Sequence, residues 1–202
     1  MDPSFRWDDW IQNQMKKIAL TGSIATGKST VMRQFAQHGI AVLDADRLVH
    51  QLLAEGGLAV NPVGHAFPET KKGNTIDRLS LGNIVFNDTK QLAKLEAILH
   101  PLVRVQEESY IRQLRQFGFK QVIVEIPLLF ESGSNKRFDQ VIVTTASPFL
   151  IHKRALSRPN MNAEKLKQIL ARQLPDHKKR LRADHVIHTG LGMRLSLCMT
   201  GS

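Results

Sequence analysis

The sequence predicts an α/β fold built on a parallel five-stranded β-sheet flanked by helices. Short apolar segments of strand length alternate with longer helical stretches along the 202 residues. A glycine-rich loop separates the first of these strands from the first helix. Strands that alternate with helices form parallel sheets covered on both faces, and the length suits one domain with helical excursions.

Five segments are apolar, short and bounded by turn signals, as buried strands are. They are Lys17–Thr21, Ile40–Leu43, Gln121–Glu125, Gln140–Thr144 and His185–His188. Together these segments span residues 17–188. Residues 1–15 lack periodicity and are interpreted as a flexible N-terminal extension, and residues 191–202 are interpreted as an atypical C-terminal tail.

Helices are predicted between these strands, starting with Lys28 to about Gln37. Two longer connections, about 50–117 and about 148–182, are predicted as helical excursions. In the first of them, Asn87-Asp88-Thr89 can cap a helix that runs to Leu99.

Pro101 then fits the first turn of another helix, which ends near Gln116. The spacing of apolar residues in this second helix predicts core positions at Leu102, Val105, Ile111 and Leu114.

The composition excludes several classes of protein. No apolar run approaches the roughly 18 residues that a membrane span requires, so no membrane partner is expected. Cys198 is the single cysteine, which excludes a disulfide within the chain. The N-terminus, with Trp7, Asp8, Asp9 and Trp10, resembles neither a signal peptide nor a transit peptide. We therefore expect a cytoplasmic protein, and the sequence leaves its oligomeric state open.

A phosphate-binding motif lies between the first strand and the first helix. The segment Gly22–Ser29 matches G-x-x-x-x-G-K-[ST] at every fixed position, and its flanking strand and helix favour this function over an ordinary glycine turn. Backbone N–H groups of such a loop bind phosphate oxygens together with the positive end of the following helix. The predicted nucleotide-binding residues are Gly22, Ser23, Ile24, Ala25, Thr26, Gly27, Lys28, Ser29 and Thr30.

Individual residues of this loop have distinct expected roles. Gly22 and Gly27 allow the backbone to approach the phosphates closely. Lys28 is expected to reach the β- and γ-phosphates of ATP, and the Ser29 hydroxyl to bind Mg²⁺. Thr30 is expected to add a further phosphate contact.

Two carboxylates follow the second predicted strand, at Asp44 and Asp46. Ligands of open parallel sheets bind beyond the carboxyl ends of the strands. A carboxylate there can accept the proton of a substrate hydroxyl that attacks the γ-phosphorus, and we assign this catalytic role to Asp46. The alternative is that either residue caps a helix beginning near Arg47.

The formal net charge of +10 is concentrated in one region. The stretch from Pro148 to Arg182 contains ten basic residues and only two acidic ones, Glu164 and Asp176, so its formal charge is +8. Such a field favours a polyanionic ligand, although a solvated basic helix face is the alternative. Arg154 and Arg158, four residues apart on one predicted helix, are candidates to close over ATP and stabilise charge during transfer.

Taken together, the motifs resemble those of the dephospho-CoA kinase family over about residues 16–190. The shared signatures are LTGSIATGKST (Leu20–Thr30), LDAD (Leu43–Asp46), IDR (Ile76–Arg78), VF (Val85–Phe86), LEAILHP (Leu95–Pro101), IPLLFE (Ile126–Glu131) and the spaced residues Arg154, Arg158, Gln173, Ala183 and Asp184. The chain departs from the family pattern at Ile151, Pro159 and Thr189, where glutamine, an acidic residue and asparagine are usual.

The resemblance implies a reaction and a set of binding residues. ATP would donate its γ-phosphate to the ribose 3′-hydroxyl of dephospho-CoA, with Asp46 at the position of the family's general base. Residues 50–117 would bind CoA, with Arg78, His100 and Pro101 at family positions, and residues 148–182 would form a lid.

Two other functions stay open at this point. A kinase for another small metabolite would share the loop and the lid, but LDAD, LEAILHP and IPLLFE favour dephospho-CoA. A nucleic-acid-binding regulator would use the basic face, yet the sequence has no helix-turn-helix, zinc or RNP-like signature, so no nucleic-acid partner is expected.

Overall fold

The computed structural model describes residues 15–86 and 88–190 of the chain. Its strands are β1 (Lys16–Thr21), β2 (Ala41–Asp44), β3 (Lys71–Lys72), β4 (Thr75–Ile76), β5 (Gln121–Glu125), β6 (Gln140–Thr145) and β7 (His185–His188). Its helices are α1 (Lys28–Gln37), α2 (Ala45–Leu53), α3 (Val60–Ala66), α4 (Arg78–Phe86), α5 (Thr89–Gln116), α6 (Pro148–Leu156), α7 (Ala163–Arg172) and α8 (Asp176–Arg180). Single 3₁₀ turns occupy Pro68–Thr70 and Ser134–Arg137.

The predicted parallel sheet is confirmed. Its five strands lie in the order β2-β5-β1-β6-β7. Strand β1 pairs in parallel with β5 on one side and β6 on the other, so that Ile18 stands opposite Ile123 and Gln140. Because β1 is the middle strand, the glycine-rich loop that follows it starts at the centre of the sheet.

The chain divides into two compact units, and the division falls within β2. Of the described residues, the first unit, called here the helical unit, contains Met15 and residues 43–120; the second, the sheet unit, contains residues 16–42 and 121–190. The sheet unit buries apolar side chains of strands and helices, among them Leu20, Val31, Phe35, Ile123 and Val143.

The helical unit has its own apolar core. It is formed by Leu52, Leu53, Ala59, Val60, Val63, Phe67, Ile76, Leu81, Leu95 and Leu99. Most of these residues come from α2, α3, α4 and α5, while Ile76 comes from β4 and Ala59 and Phe67 flank α3. The unit is therefore held together mainly by the apolar faces of its helices. The two-stranded antiparallel ribbon β3-β4 lies between α3 and α4 in the chain.

Helix α5 corrects the prediction of two helices separated at Pro101. It is a single helix from Thr89 to Gln116 with Pro101 inside. A proline inside a helix removes one N–H and crowds the carbonyl four residues earlier. Here the helix continues because buried side chains anchor it on both sides of the proline, with Leu95 and Leu99 before it and Ile111 and Leu114 after it.

The predicted core of this region is correct except at Val105. Ile111 and Leu114 are buried and Leu102 packs against the core of the helical unit, whereas Val105 is 58% exposed. Asp88 caps α5, since its Oδ1 accepts from the N–H groups of Lys90 and Gln91 at 2.8 and 3.1 Å. Asn87, named in the same predicted cap, lies outside the described residues, as do residues 1–14 and 191–202, so the proposed N-terminal extension and C-terminal tail remain predictions.

Some predicted strand ends shift by one residue. Strand β2 begins at Ala41 and ends at Asp44, and β6 extends to Thr145. Across residues 15–86 and 88–190, no helix combines the length and the apolar content that crossing a bilayer requires.

Asp77 organises the start of α4. Its Oδ1 accepts from the N–H groups of Leu79 and Ser80 at 3.0 and 3.3 Å, and its Oδ2 pairs with the Lys72 ammonium. The hydrogen bond from Lys72, followed by that from the Ser80 N–H, lowers the pKa of Asp77 to about 2. Since the folded pKa lies below that of an unfolded aspartate, the charged form of Asp77 stabilises the fold above about pH 4. This contribution disappears as the pH falls through about 2.

We expect Asp77→Asn to flatten the acid dependence of stability, because asparagine retains the cap but does not titrate. Free energies of unfolding from urea titrations between pH 5 and pH 2 should fall more steeply for the original chain than for the variant. In Lys72→Met, carboxyl chemical shifts should place the pKa of Asp77 nearer its ordinary value. An Asp77 that titrates normally in the original chain would contradict this prediction.

Candidate active site

The glycine-rich loop joins β1 to α1 and adopts a backbone that only certain residues accept. Gly22 and Gly27 have φ values of 153° and 89°. A Cβ on Gly22 would lie 2.3 Å from Thr144 Oγ1 and 2.6 Å from the Thr144 carbonyl oxygen, so any side chain there collides with β6. The close approach of the loop to the neighbouring strand therefore requires glycine at position 22.

Ala25 also has a left-handed backbone, with φ of 59°. For a residue with a Cβ this conformation costs roughly 1–2 kcal/mol. Ala25 is buried and shares an apolar cluster with Ala155 of α6 and Leu166 of α7. Burial of its methyl group in this cluster offsets part of the conformational cost and ties the loop to both helices.

Several amides of the loop are available to an anion. Among the described residues, the N–H groups of Ala25, Gly27 and Ser29 donate to no carbonyl or side chain. They precede or begin α1, whose N-terminus adds positive potential. Unpaired amides at a helix start bind phosphate oxygens, so this arrangement is suited to a nucleotide.

The charged and hydroxyl side chains of the motif lie around these amides. Lys28 is half-buried, and its Nζ donates to the carbonyl oxygens of Gly22 and Ser23 at 2.9 and 3.1 Å. The Ser29 side chain is exposed in the first turn of α1, and its hydroxyl has no hydrogen bond to any described residue. The Thr30 N–H donates to the Gly27 carbonyl at 3.1 Å as the helix begins.

Thr26 is the most constrained residue of the loop. It is fully buried, its Oγ1 donates to the Ser23 carbonyl at 2.8 Å, and Oγ1 also lies 2.8 Å from Thr144 Oγ1. These bonds fix the turn of the loop against β6.

The segment between α7 and α8 contacts the same loop. The Gln173 side-chain oxygen accepts from the Ile24 N–H at 3.0 Å. The next residue, Leu174, donates its N–H to Glu131 Oε1 at 2.7 Å, and the fully buried Lys179 places its Nζ 3.0 Å from the same oxygen. The segment is therefore fixed on one side to the phosphate loop and on the other to Glu131.

The Glu131 carboxylate is stabilised in its charged form. Burial alone would raise its pKa, but hydrogen bonds from the N–H groups of Leu174 and Glu131 and the nearby Lys179 ammonium together lower it below the ordinary value. The lowered pKa keeps Glu131 ionised near neutral pH, where it balances the buried Lys179.

The predicted pairing of Arg154 and Arg158 on one helix is wrong. Helix α6 ends at Leu156, and Arg158 lies exposed in the turn after it. Ser157 closes the helix because Pro159 disfavours a helical conformation at Arg158. Arg154 is inside α6, half-buried, and donates to Thr189 through Nη1 to Oγ1 at 3.0 Å and Nη2 to the carbonyl oxygen at 2.8 Å.

The two predicted carboxylates belong to the start of α2. Asp44 is the last residue of β2 and caps the helix, since its Oδ1 accepts from the Arg47 N–H at 3.1 Å. The helix therefore begins at Ala45, two residues earlier than the alternative interpretation had it. Asp46 lies in its first turn, and both carboxylates are exposed.

The other predicted substrate residues lie in the helical unit. Arg78 is the first residue of α4, and His100 and Pro101 lie within α5; all three are exposed. Within residues 15–86 and 88–190, no three side chains of the His, Cys, Asp or Glu types cluster as a metal site would require.

Comparison with known proteins assigns the family. The family model described as CoaE, dephospho-CoA kinase, matches residues 16–192. The chain belongs to the dephospho-CoA kinase family. It is 46% identical to the dephospho-CoA kinase of Bartonella quintana, over 87% of this chain and 90% of that protein. It is 49% identical to the dephospho-CoA kinase of Rhodospirillum rubrum, over 89% of this chain and 86% of that protein.

Solved structures agree with this membership. A dephospho-CoA kinase of Campylobacter jejuni is 30% identical, covers 88% of this chain and 89% of its own length, and has a TM-score of 0.65. A crystal structure from Thermus thermophilus is 31% identical, covers 87% of this chain and 88% of its own, and has a TM-score of 0.76. This member of the dephospho-CoA kinase family is therefore an ATP-dependent kinase with a phosphate-loop fold.

Sequence reasoning gave no role to two residues of this kinase that contact the loop. Gln173 entered only as part of the family signature, and Thr189 only as a departure from it. The signal that could have found Thr189 is its position directly after β7, at the carboxyl end of a parallel strand, where ligands of such sheets bind.

We expect Gly22→Ala to lose ATP binding and to lower the free energy of unfolding by about 1–3 kcal/mol, because the Thr144 backbone cannot move aside. The readout is the rise in melting temperature on adding ATP, which the variant should not show. Gly82→Ala is the matched control, since position 82 is inside α4 and nothing lies within 4 Å of a Cβ there. An ATP response from Gly22→Ala equal to that of the control would contradict the prediction.

Proposed function

We propose that this protein transfers the γ-phosphate of ATP to the ribose 3′-hydroxyl of dephospho-CoA, giving CoA and ADP. The observation that carries the proposal is the phosphate loop between β1 and α1, whose amides at Ala25, Gly27 and Ser29 have no partner in the described part of the chain. The dephospho-CoA kinase family model matches residues 16–192, which include this loop and Lys28. ATP and dephospho-CoA are the proposed partners, in the cytoplasm and without nucleic acid.

The loop binds the triphosphate in this proposal. The N–H groups of Ala25, Gly27 and Ser29 donate to phosphate oxygens, and the N-terminus of α1 adds its positive potential. Lys28, which donates to two loop carbonyls, exchanges these bonds for oxygens of the β- and γ-phosphates. The positive charge of Lys28 then opposes the negative charge that accumulates during transfer.

Arg154 is proposed to stabilise the same negative charge, which accumulates on the phosphoryl group during transfer. Two of its five N–H groups donate to Thr189, and the other three have no partner among the described residues. Guanidinium groups stabilise a transferring phosphoryl group through such free donors. Arg158, in the exposed turn after α6, is proposed to contact the nucleotide without sharing the helix of Arg154.

The Ser29 hydroxyl fits a magnesium ligand. Mg²⁺ takes oxygen ligands, is commonly held by one or two protein groups together with substrate phosphates, and when bound neutralises charge on the β- and γ-phosphate oxygens. Ser29 offers an exposed hydroxyl without another hydrogen bond to the described residues, in the first turn of the helix that follows the loop.

Asp46 is proposed as the general base. As the substrate 3′-hydroxyl attacks the γ-phosphorus, its proton passes to a carboxylate oxygen of Asp46. Its exposure and its place in the first turn after β2 support this role, since ligands of open parallel sheets bind beyond the carboxyl ends of strands. Asp44 is proposed to contribute to substrate binding through Oδ2, which has no partner among the described residues, while Oδ1 caps α2.

The helical unit is proposed to bind the CoA portion of the acceptor. Arg78, at the start of α4, offers a positive charge, and His100 and Pro101 lie on an exposed part of α5. The family signatures that contain these residues, IDR and LEAILHP, support the assignment.

We expect Asp46→Asn to reduce turnover at least about 100-fold, because a general base typically contributes that much. Coupled ADP release with dephospho-CoA measures it, and the affinity for ATP, from calorimetry, should stay unchanged. Asp88→Asn is the matched control, an exposed aspartate at another helix start where asparagine preserves the cap. An Asp46→Asn enzyme as fast as this control would contradict the proposed base.

The acceptor is tested by replacing dephospho-CoA with AMP or adenosine in the same assay. We expect turnover with dephospho-CoA only. Equal turnover of AMP would instead support a nucleoside monophosphate kinase, which shares the phosphate loop.

A further inference from the structure

Thr189 connects three parts of the sheet unit. It follows β7, and its N–H donates to the Thr145 carbonyl at the end of β6 at 2.9 Å. Its side chain and carbonyl receive the two hydrogen bonds from Arg154 of α6. Its Oγ1 lies 2.6 Å from the carbonyl oxygen of Thr26 in the phosphate loop. One half-buried side chain thus contacts the loop, the sheet and the arginine.

The directions of these hydrogen bonds are determined by chemistry. A guanidinium group only donates and a carbonyl oxygen only accepts. The Thr189 hydroxyl therefore accepts from Arg154 Nη1 and gives its single proton to the Thr26 carbonyl, the closer of the two carbonyls within reach. Hydrogen bonds in such a chain polarise and strengthen one another.

The bond to Thr26 sets the direction of a phosphate-binding amide. The peptide bonds of the described residues are trans, so the N–H of Gly27 points opposite to the C=O of Thr26. When Thr189 holds that carbonyl on one side, the Gly27 N–H is directed to the other. This N–H is one of the loop amides without a partner among the described residues.

The same hydroxyl positions Arg154. Its guanidinium is held by two bonds to one residue, and three N–H groups remain for a ligand. Removing the Thr189 hydroxyl would leave Arg154 Nη1 with one fewer acceptor and the Thr26 carbonyl without this donor. Gly27 is also close to Thr189, since a Cβ added at Gly27 would lie only 3.1 Å from Thr189 Oγ1. Little free volume therefore exists for the loop to rotate into.

We propose that Thr189 is a positioning residue for phosphoryl transfer, whose hydroxyl orients both the Thr26–Gly27 peptide and the Arg154 guanidinium toward the triphosphate. The inference rests on the proposed function for its chemical step, but the first quantity that it predicts to change is the affinity for ATP. ATP binding is measured without any acceptor, so a failure of the inference can be distinguished from a wrong acceptor assignment.

The test compares Thr189→Val, which keeps the shape but lacks the hydroxyl, with Thr189→Ser, which keeps the hydroxyl. We expect the Val variant to raise the Kd for ATP, measured by calorimetry, about tenfold or more, because it loses a hydrogen bond to a charged group. Its kcat should fall as well, whereas its KM for dephospho-CoA should stay within about twofold. The Ser variant should restore both within about threefold. Ser132→Ala, in the same unit but away from the loop, is the control.

A second arm measures coupling to Arg154. Because Thr189 acts partly through Arg154, Arg154→Ala and Thr189→Val should lose less together than the product of their separate losses. If the Val variant does not fold, Thr189→Ala takes its place in both arms. Unchanged ATP affinity in the hydroxyl-free variant, a Ser variant as impaired as Val, or independent losses in the double variant would each overturn the proposal.

Discussion

A phosphate-binding loop must keep its amides available to the ligand while its peptide planes stay fixed. In this chain, contacts from other parts of the sheet unit fix the peptide planes. An amide that bonded to its own backbone would be lost to the ligand, so other groups must hold the loop. Here Thr144, Gln173, Thr189 and the apolar contacts of Ala25 hold it from outside. The Ala25, Gly27 and Ser29 amides therefore make no hydrogen bond within residues 15–86 and 88–190.

Much of the fold was predictable because it depends on local patterns. The apolar strands, the glycines of the loop and the helix after it are each visible within a few residues, and they predict a parallel sheet with a phosphate-binding loop after its first strand. That this strand is the middle one of the sheet was not predicted. The position of the loop was predictable for the same reason, since Gly22, Gly27, Lys28 and Ser29 lie within eight consecutive residues. The chemical roles of these residues stay predictions.

The prediction at Pro101 and the missing role of Thr189 have a different physical origin, because both depend on contacts between residues distant in the chain. Pro101 is a local helix breaker, but Leu95, Leu99, Ile111 and Leu114 are buried on both sides of it and keep α5 continuous. Thr189 lies more than 160 positions from Thr26, so no local pattern could show that its hydroxyl reaches the loop. The error at Arg154 and Arg158 is local instead, since Pro159 disfavours a helical conformation at Arg158 and α6 ends at Leu156.

Gly22 has a consequence for how this chain can change in evolution. A clash with a side chain is commonly relieved by shrinking the neighbour, so that two substitutions together are tolerated where one is not. At position 22 the obstacle includes the backbone oxygen of Thr144, 2.6 Å from where a Cβ would stand. Every residue type at position 144 carries that oxygen. No compensating substitution there can make room, and glycine is retained whatever residue faces it.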